Sequence, residues 1–88
     1  MMLWLSFCDP AKPAGSQFLG ACIVEVPGHP DERVCCARAI AAAWKHGCNP
    51  GGEVESYQLP AEKEDFCRPH LNRLMNRREA EGIGTSEL

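Results

Sequence analysis

The chain has 88 residues, with twelve acidic and nine basic side chains and a formal net charge of −3. That length allows one domain with a thin core, and the charge balance supplies no basic field to hold duplex DNA. No stretch approaches the roughly 20 apolar residues of a membrane span, so neither duplex DNA nor a membrane is expected as a partner.

Residues 3–8 alternate, with Leu3, Leu5 and Phe7 on one side and Trp4, Ser6 and Cys8 on the other, which predicts a first strand. Residues 9–16 hold Pro10, Pro13 and Gly15 and cannot continue a strand. Residues 17–26 place Phe18, Cys22, Val24 and Val26 on one side and Leu19, Ala21 and Ile23 on the other. Apolar residues on both faces predict a central strand.

Pro30, Asp31 and Glu32 form a helix start, since proline suits the first turn and carboxylates favour the positive end of the helix dipole. The helix is expected to run to about His46, with Gly47 closing it. Val34, Ala37, Ala41 and Trp44, with Ile40 beside them, form the apolar stripe expected to face the sheet. After the loop 48–52, residues 53–59 read as a third strand, completing a βαβ crossover. A short helix over 61–67 follows, limited by Pro69. Leu71, Leu74 and Met75 are then expected in the core. Asn76 and Glu79 resemble a capping box for a final helical turn. The expected fold is therefore α+β: a three-stranded mixed sheet, a β-hairpin joined to a βαβ crossover, and a helical C-terminal segment. One domain is expected over residues 1–81, with a loose tail over 82–88.

Six cysteines stand at positions 8, 22, 35, 36, 48 and 67. A disulfide framework needs an oxidising compartment. The first ten residues offer no basic region, too short an apolar run and no small-residue cleavage site. Reduced thiols in the cytoplasm are the expectation.

A hairpin followed by a crossover brings loop 9–16 and loop 47–52 to one end of the sheet. Asp9, Lys12, Ser16, Gln17 and Asn49 would supply side-chain donors and acceptors there. Gly51 and Gly52 would offer backbone N–H groups to an anion such as phosphate. This is the candidate ligand site, and the alternative is that both loops only turn the chain. The opposite end, with Gly28, His29 and Pro30, is disfavoured for phosphate because Asp31 and Glu32 already occupy the helix N-terminus. No cofactor is required. Zinc is an alternative only if His46, Cys48, Cys67 and His70 converge on one tetrahedral site. His29, His46 and His70 fall on scattered elements with no nucleophile and orienting partner beside them, so catalysis is not favoured. Arg68, Arg73, Arg77 and Arg78 read as a solvated helix face.

Three segments, Ser6-Phe7-Cys8-Asp9-Pro10, residues 15–20 (GSQFLG) and residues 49–54 (NPGGEV), resemble small accessory proteins encoded by tailed bacteriophages and prophages. The resemblance covers residues 3–60 and carries over no established functional residue. It implies a protein acting in the host cell cytoplasm against antiviral defence. As a binding protein, it would sequester a small nucleotide-type signal in the Gly/Pro loops, as a homo-oligomer. Direct binding to a host defence protein, or a zinc-stabilised adaptor, is the alternative.

Overall fold

The computed structural model describes residues 1–83. It contains β1 (Met2–Cys8), β2 (Phe18–Glu25), α1 (Glu32–Lys45), β3 (Glu53–Gln58), α2 (Ala61–Cys67), a 3-10 turn (Arg68–His70) and α3 (Arg77–Gly82). The α+β class is as the sequence predicts. No helix among the described residues is long and apolar enough to cross a membrane.

The strand order is β2-β1-β3, so β1 is central, not β2. β1 pairs antiparallel with β2 and antiparallel with β3. The crossover strands β2 and β3 run parallel to each other, but β1 lies between them. Every hydrogen-bonded pair of strands is therefore antiparallel, which corrects the expected mixed sheet. β1 suits the centre because both its faces are apolar: Leu3, Leu5 and Phe7 enter one core, and Met2 and Trp4 the other.

The apolar character of β2 has a different source. Its outer edge is covered by the chain between the 3-10 turn and α3. Ala21 and Met75 exchange backbone hydrogen bonds of 3.0 and 2.7 Å, and the Asn72 N–H donates to the Ile23 carbonyl at 2.8 Å. Asn72 reaches that position with φ 62°, a left-handed conformation that asparagine tolerates better than most residues.

Two cores result, one on each face of the sheet. On the first face α1 covers Leu5, Cys22, Val24 and Val26 through Cys35, Ala39 and Ala43, with Cys48 beside them. On the second, Trp4, Ala21, Ile23 and Leu59 pack with Cys67, Met75, Ala80 and Ile83. The C-terminal segment thus covers the face that one helix leaves open.

The caps of α1 follow the sequence. Asp31 is the N-cap, its carboxylate accepting from the Arg33 N–H at 2.9 Å, and Gly47 donates to the Trp44 carbonyl at 3.0 Å. The helix face does not. Ala37 and Ala41 are exposed, and Trp44 is 57% exposed. The stripe of 35, 39 and 43 packs inward instead because its small side chains let the helix approach the sheet closely. Leu74 also lies outward, 43% exposed. Asn76 caps α3 as expected, accepting from the Glu79 N–H at 3.0 Å. Gly82 ends α3 and Ile83 is buried, so the packed domain passes the expected boundary at 81. The remainder of the expected tail, 84–88, lies outside the described residues.

Candidate functional site

Cys8, the last residue of β1, pairs with both Phe18 and Glu53. The loops 9–17 and 46–52 therefore share one end of the sheet, where the sequence places them. All seven predicted ligand residues lie at that end, but they divide into groups already engaged and groups left exposed. The Asp9 carboxylate accepts from the Ala11 N–H at 3.0 Å, and the Asp9 N–H donates to the Gln17 carbonyl at 2.8 Å. The Gln17 amide donates to the Lys12 carbonyl at 3.0 Å and the Pro10 carbonyl at 3.4 Å. These bonds make Asp9 and Gln17 braces of the loop. Lys12, Ser16, Asn49 and Gly51 are exposed.

Gly52 has a packing role. At φ 74°, a Cβ added there would stand 2.3 Å from the Cys8 carbonyl oxygen and 2.7 Å from Leu19 Cδ1. Leu19 is the extra residue of a β-bulge, since Phe7 pairs with Gly20 and Cys8 with Phe18. The bulge and the glycine let the two loops close on the end of β1.

The four residues of the zinc alternative do not converge. Cys48 lies in the core under α1, and Cys67 lies in the core on the other face. The sheet separates them. His46 is exposed at the end of α1, and His70 Nδ1 lies 2.7 Å from the Arg73 guanidinium. The described residues contain no cluster of three or more His, Cys, Asp or Glu side chains that could hold a metal ion.

At the opposite end, a cavity of about 330 Å³ is lined by Met1, Leu3, His29, Pro30, Glu32, Cys35, Ser56 and Gln58. This lies in the lower part of the size range of small-molecule pockets. Its origin is the lateral placement of α1, which packs on β2 and β1. Opposite residues on paired strands share a face. The pairings Leu3–Gln58, Leu5–Ser56 and Phe7–Val54 therefore turn Gln58, Ser56 and Val54 toward the α1 side. The cavity opens where the helix stops short of β3.

The loop into α1 positions the remaining groups. His29 Nδ1 accepts from the Asp31 N–H at 3.0 Å, which leaves Nε2 to carry the proton of the neutral ring. The Cys35 thiol donates to the His29 carbonyl at 3.3 Å. Hydrogen bonds from Arg33 hold the Asp31 carboxyl below its ordinary range. The Arg33 guanidinium pairs with the Asp31 carboxylate at 3.1 Å, so Glu32 is the one carboxylate left on the cavity wall. Ser56 and Gln58 were not among the candidates read from sequence; they alternate with Glu55 and Tyr57 and form a polar row on the α1 side of the sheet.

Two of the buried thiols are shifted away from the thiolate. Burial pushes the Cys22 thiol up to about 12, with the neighbouring Cys48 thiol adding to the rise. Burial also raises Cys67. A nucleophilic cysteine needs the opposite shift. Most of the basic residues near the C-terminus are engaged. Arg73 pairs with Glu79, Arg68 lies 3.6 Å from Glu25, and Arg77 stacks 5.3 Å from the centre of the Phe18 ring.

These observations define a small α+β domain with a sheet covered on both faces, a braced loop end and a hydrogen-bonding cavity at the N-terminus of its main helix. Comparison with protein-family models, curated proteins and solved structures found no match.

Proposed function

We propose that this protein is a non-enzymatic binding protein that sequesters a small nucleotide-like molecule. The observation supporting this is the composition of the cavity. Ser56, Gln58 and His29 offer donors and acceptors, with the Glu32 carboxylate, beside Met1, Leu3 and Pro30. A nucleobase presents the matching surface, flat apolar faces with donors and acceptors on its edge. The Glu32 carboxylate on the cavity wall favours holding the base and sugar inside and leaving any phosphate in solvent. The Gly/Pro loops at the far end form the second candidate, through Lys12, Ser16, Asn49 and Gly51. The resemblance to phage accessory proteins supplies the biological reading: the ligand is a signal of host antiviral defence, held unchanged in the host cytoplasm.

The test is titration of the full chain with cyclic nucleotides and ADP-ribose derivatives, followed by heat release and mass analysis of the ligand. Binding with recovery of intact ligand is expected. Ser56→Ala and Gln58→Ala should abolish binding, whereas Lys12→Ala and Asn49→Ala should leave it unchanged. The reverse pattern moves the site to the loops. No binding of any member, together with a stoichiometric protein captured from host cells, overturns the proposal in favour of direct protein inhibition.

A further inference from the structure

The two edges of the sheet are not equivalent. Residues 71–75 cover the outer edge of β2, whereas no described residue pairs with the outer edge of β3, whose own residues are mostly exposed. The Leu59 N–H donates to the Met2 carbonyl at 3.0 Å, and the Met1 nitrogen donates to the Val26 carbonyl at 2.8 Å. In an antiparallel sheet these bonds alternate along each strand. Even-numbered residues of β1 therefore bond to β3 through residues 53, 55, 57 and 59. Val54, Ser56 and Gln58 turn their N–H and C=O groups outward. Such an edge is a template for another strand.

The charge pattern of β3 selects the strand that fits. Two copies paired antiparallel about a two-fold axis at Ser56 would place Ser56 opposite Ser56, Val54 opposite Gln58 and Glu55 opposite Tyr57. No like charges face each other. Tyr57 already donates to Glu55 within one chain at 2.5 Å, so the same two chemistries would meet across the strands. Moving the axis by one residue to Glu55 would oppose two glutamates directly, which is destabilising.

We infer that two copies of this chain join through their β3 edges into one continuous antiparallel sheet, and that their cavities open into a shared two-fold cleft. The contact supplies about six main-chain hydrogen bonds. Strands lie about 4.8 Å apart, and α1 covers β2 and β1. The two α1 axes would then stand about four strand spacings, about 19 Å, apart. With a helix diameter of about 10 Å, the cleft is about 9 Å wide. Its floor is the outward row Val54, Ser56 and Gln58 from both copies. Dimerisation rests on the open edge alone, and only the use of the cleft for a nucleotide-like ligand rests on the function proposed above.

The test uses the full chain without ligand and reads mass by native mass spectrometry and light scattering across a concentration series. The wild type should show twice the 9.7 kDa chain mass. Ser56→Lys sets two ammonium groups against each other on the axis, and Ser56→Pro removes an N–H that pairing with β1 does not use. Both should run at single-chain mass with unchanged far-ultraviolet circular dichroism. Trp44→Lys, on the exposed face of α1, should remain dimeric. A wild type at single-chain mass throughout, dimers that persist in both Ser56 variants, or loss of the dimer in Trp44→Lys would each overturn the inference.

Discussion

Gly52→Ala tests how the loop end is built, and Gly51→Ala is its internal control. Both residues have positive φ, 88° at Gly51 and 74° at Gly52, so alanine at either position carries a left-handed penalty of about 1–2 kcal/mol. An added Cβ at Gly51 meets nothing within 4 Å, whereas at Gly52 it meets the Cys8 carbonyl oxygen at 2.3 Å. That overlap can be relieved only by moving the Cys8–Glu53 end of the β1–β3 ladder, with loss of about one backbone hydrogen bond, a further 0.5–1.5 kcal/mol or so. Gly52→Ala should therefore cost about 1.5–3.5 kcal/mol, from a total of about 4–13 kcal/mol for a domain of this size. Urea unfolding followed by far-ultraviolet circular dichroism would show the difference as a lower midpoint at unchanged slope. In thermal scans Gly52→Ala should melt at least about 2 °C below Gly51→Ala. Equal midpoints, or a larger loss in Gly51→Ala, would refute the close approach of loop 46–52 to the end of β1.

The two tryptophans test the facing of the elements. Trp4 is 1% exposed and Trp44 57%. Trp4→Ala should cost about 3–5 kcal/mol and Trp44→Ala should stay within about 0.5 kcal/mol, both read by urea unfolding. Because burial raises the Cys22 thiol from 9.0 to about 12, the unfolded state releases this proton first as pH rises. The contribution of this group should be level below pH 9 and fall between pH 9 and 12, by at most about 1.4 kcal/mol per unit. Cys22→Ala should flatten part of that fall in a pH series of denaturation midpoints. In thiol titration of the native protein, Cys8 and Cys36, which are only partly buried, should react first. Cys22, Cys35, Cys48 and Cys67, which are buried, should react only on unfolding.

What the sequence revealed of this fold was mostly local. Asp31 and Gly47 mark the ends of α1 because a cap is satisfied within one turn, and Asn76 does the same for α3. The meeting of the two loops also follows from sequence, since a hairpin and a crossover leave no other end for residues 46–52. The inward face of α1 was not legible. The helix is apolar on nearly every side, and periodicity cannot choose between the stripe of Val34, Ala37, Ala41 and Trp44 and the stripe of Cys35, Ala39 and Ala43. Packing chose the smaller residues. The strand order depends on a pairing between Trp4 and Tyr57, residues far apart in the chain, for which the sequence carries no local signal. The cavity was hidden for the same reason: it is a gap left by the lateral position of α1, with His29 set by its bond to Asp31 and Ser56 by its register opposite Leu5.

The covering of β2 by residues 71–75 governs how far any association through the sheet can extend. A sheet with two free edges can add chains head to tail without limit and grow into a fibre. Here the chain closes one edge with its own backbone. A symmetric contact between β3 strands would consume the other edge of each copy and leave no site for a third. Growth would then terminate at two chains, and the segment around Asn72 would act as a stop against polymerisation as well as a cover for the second core.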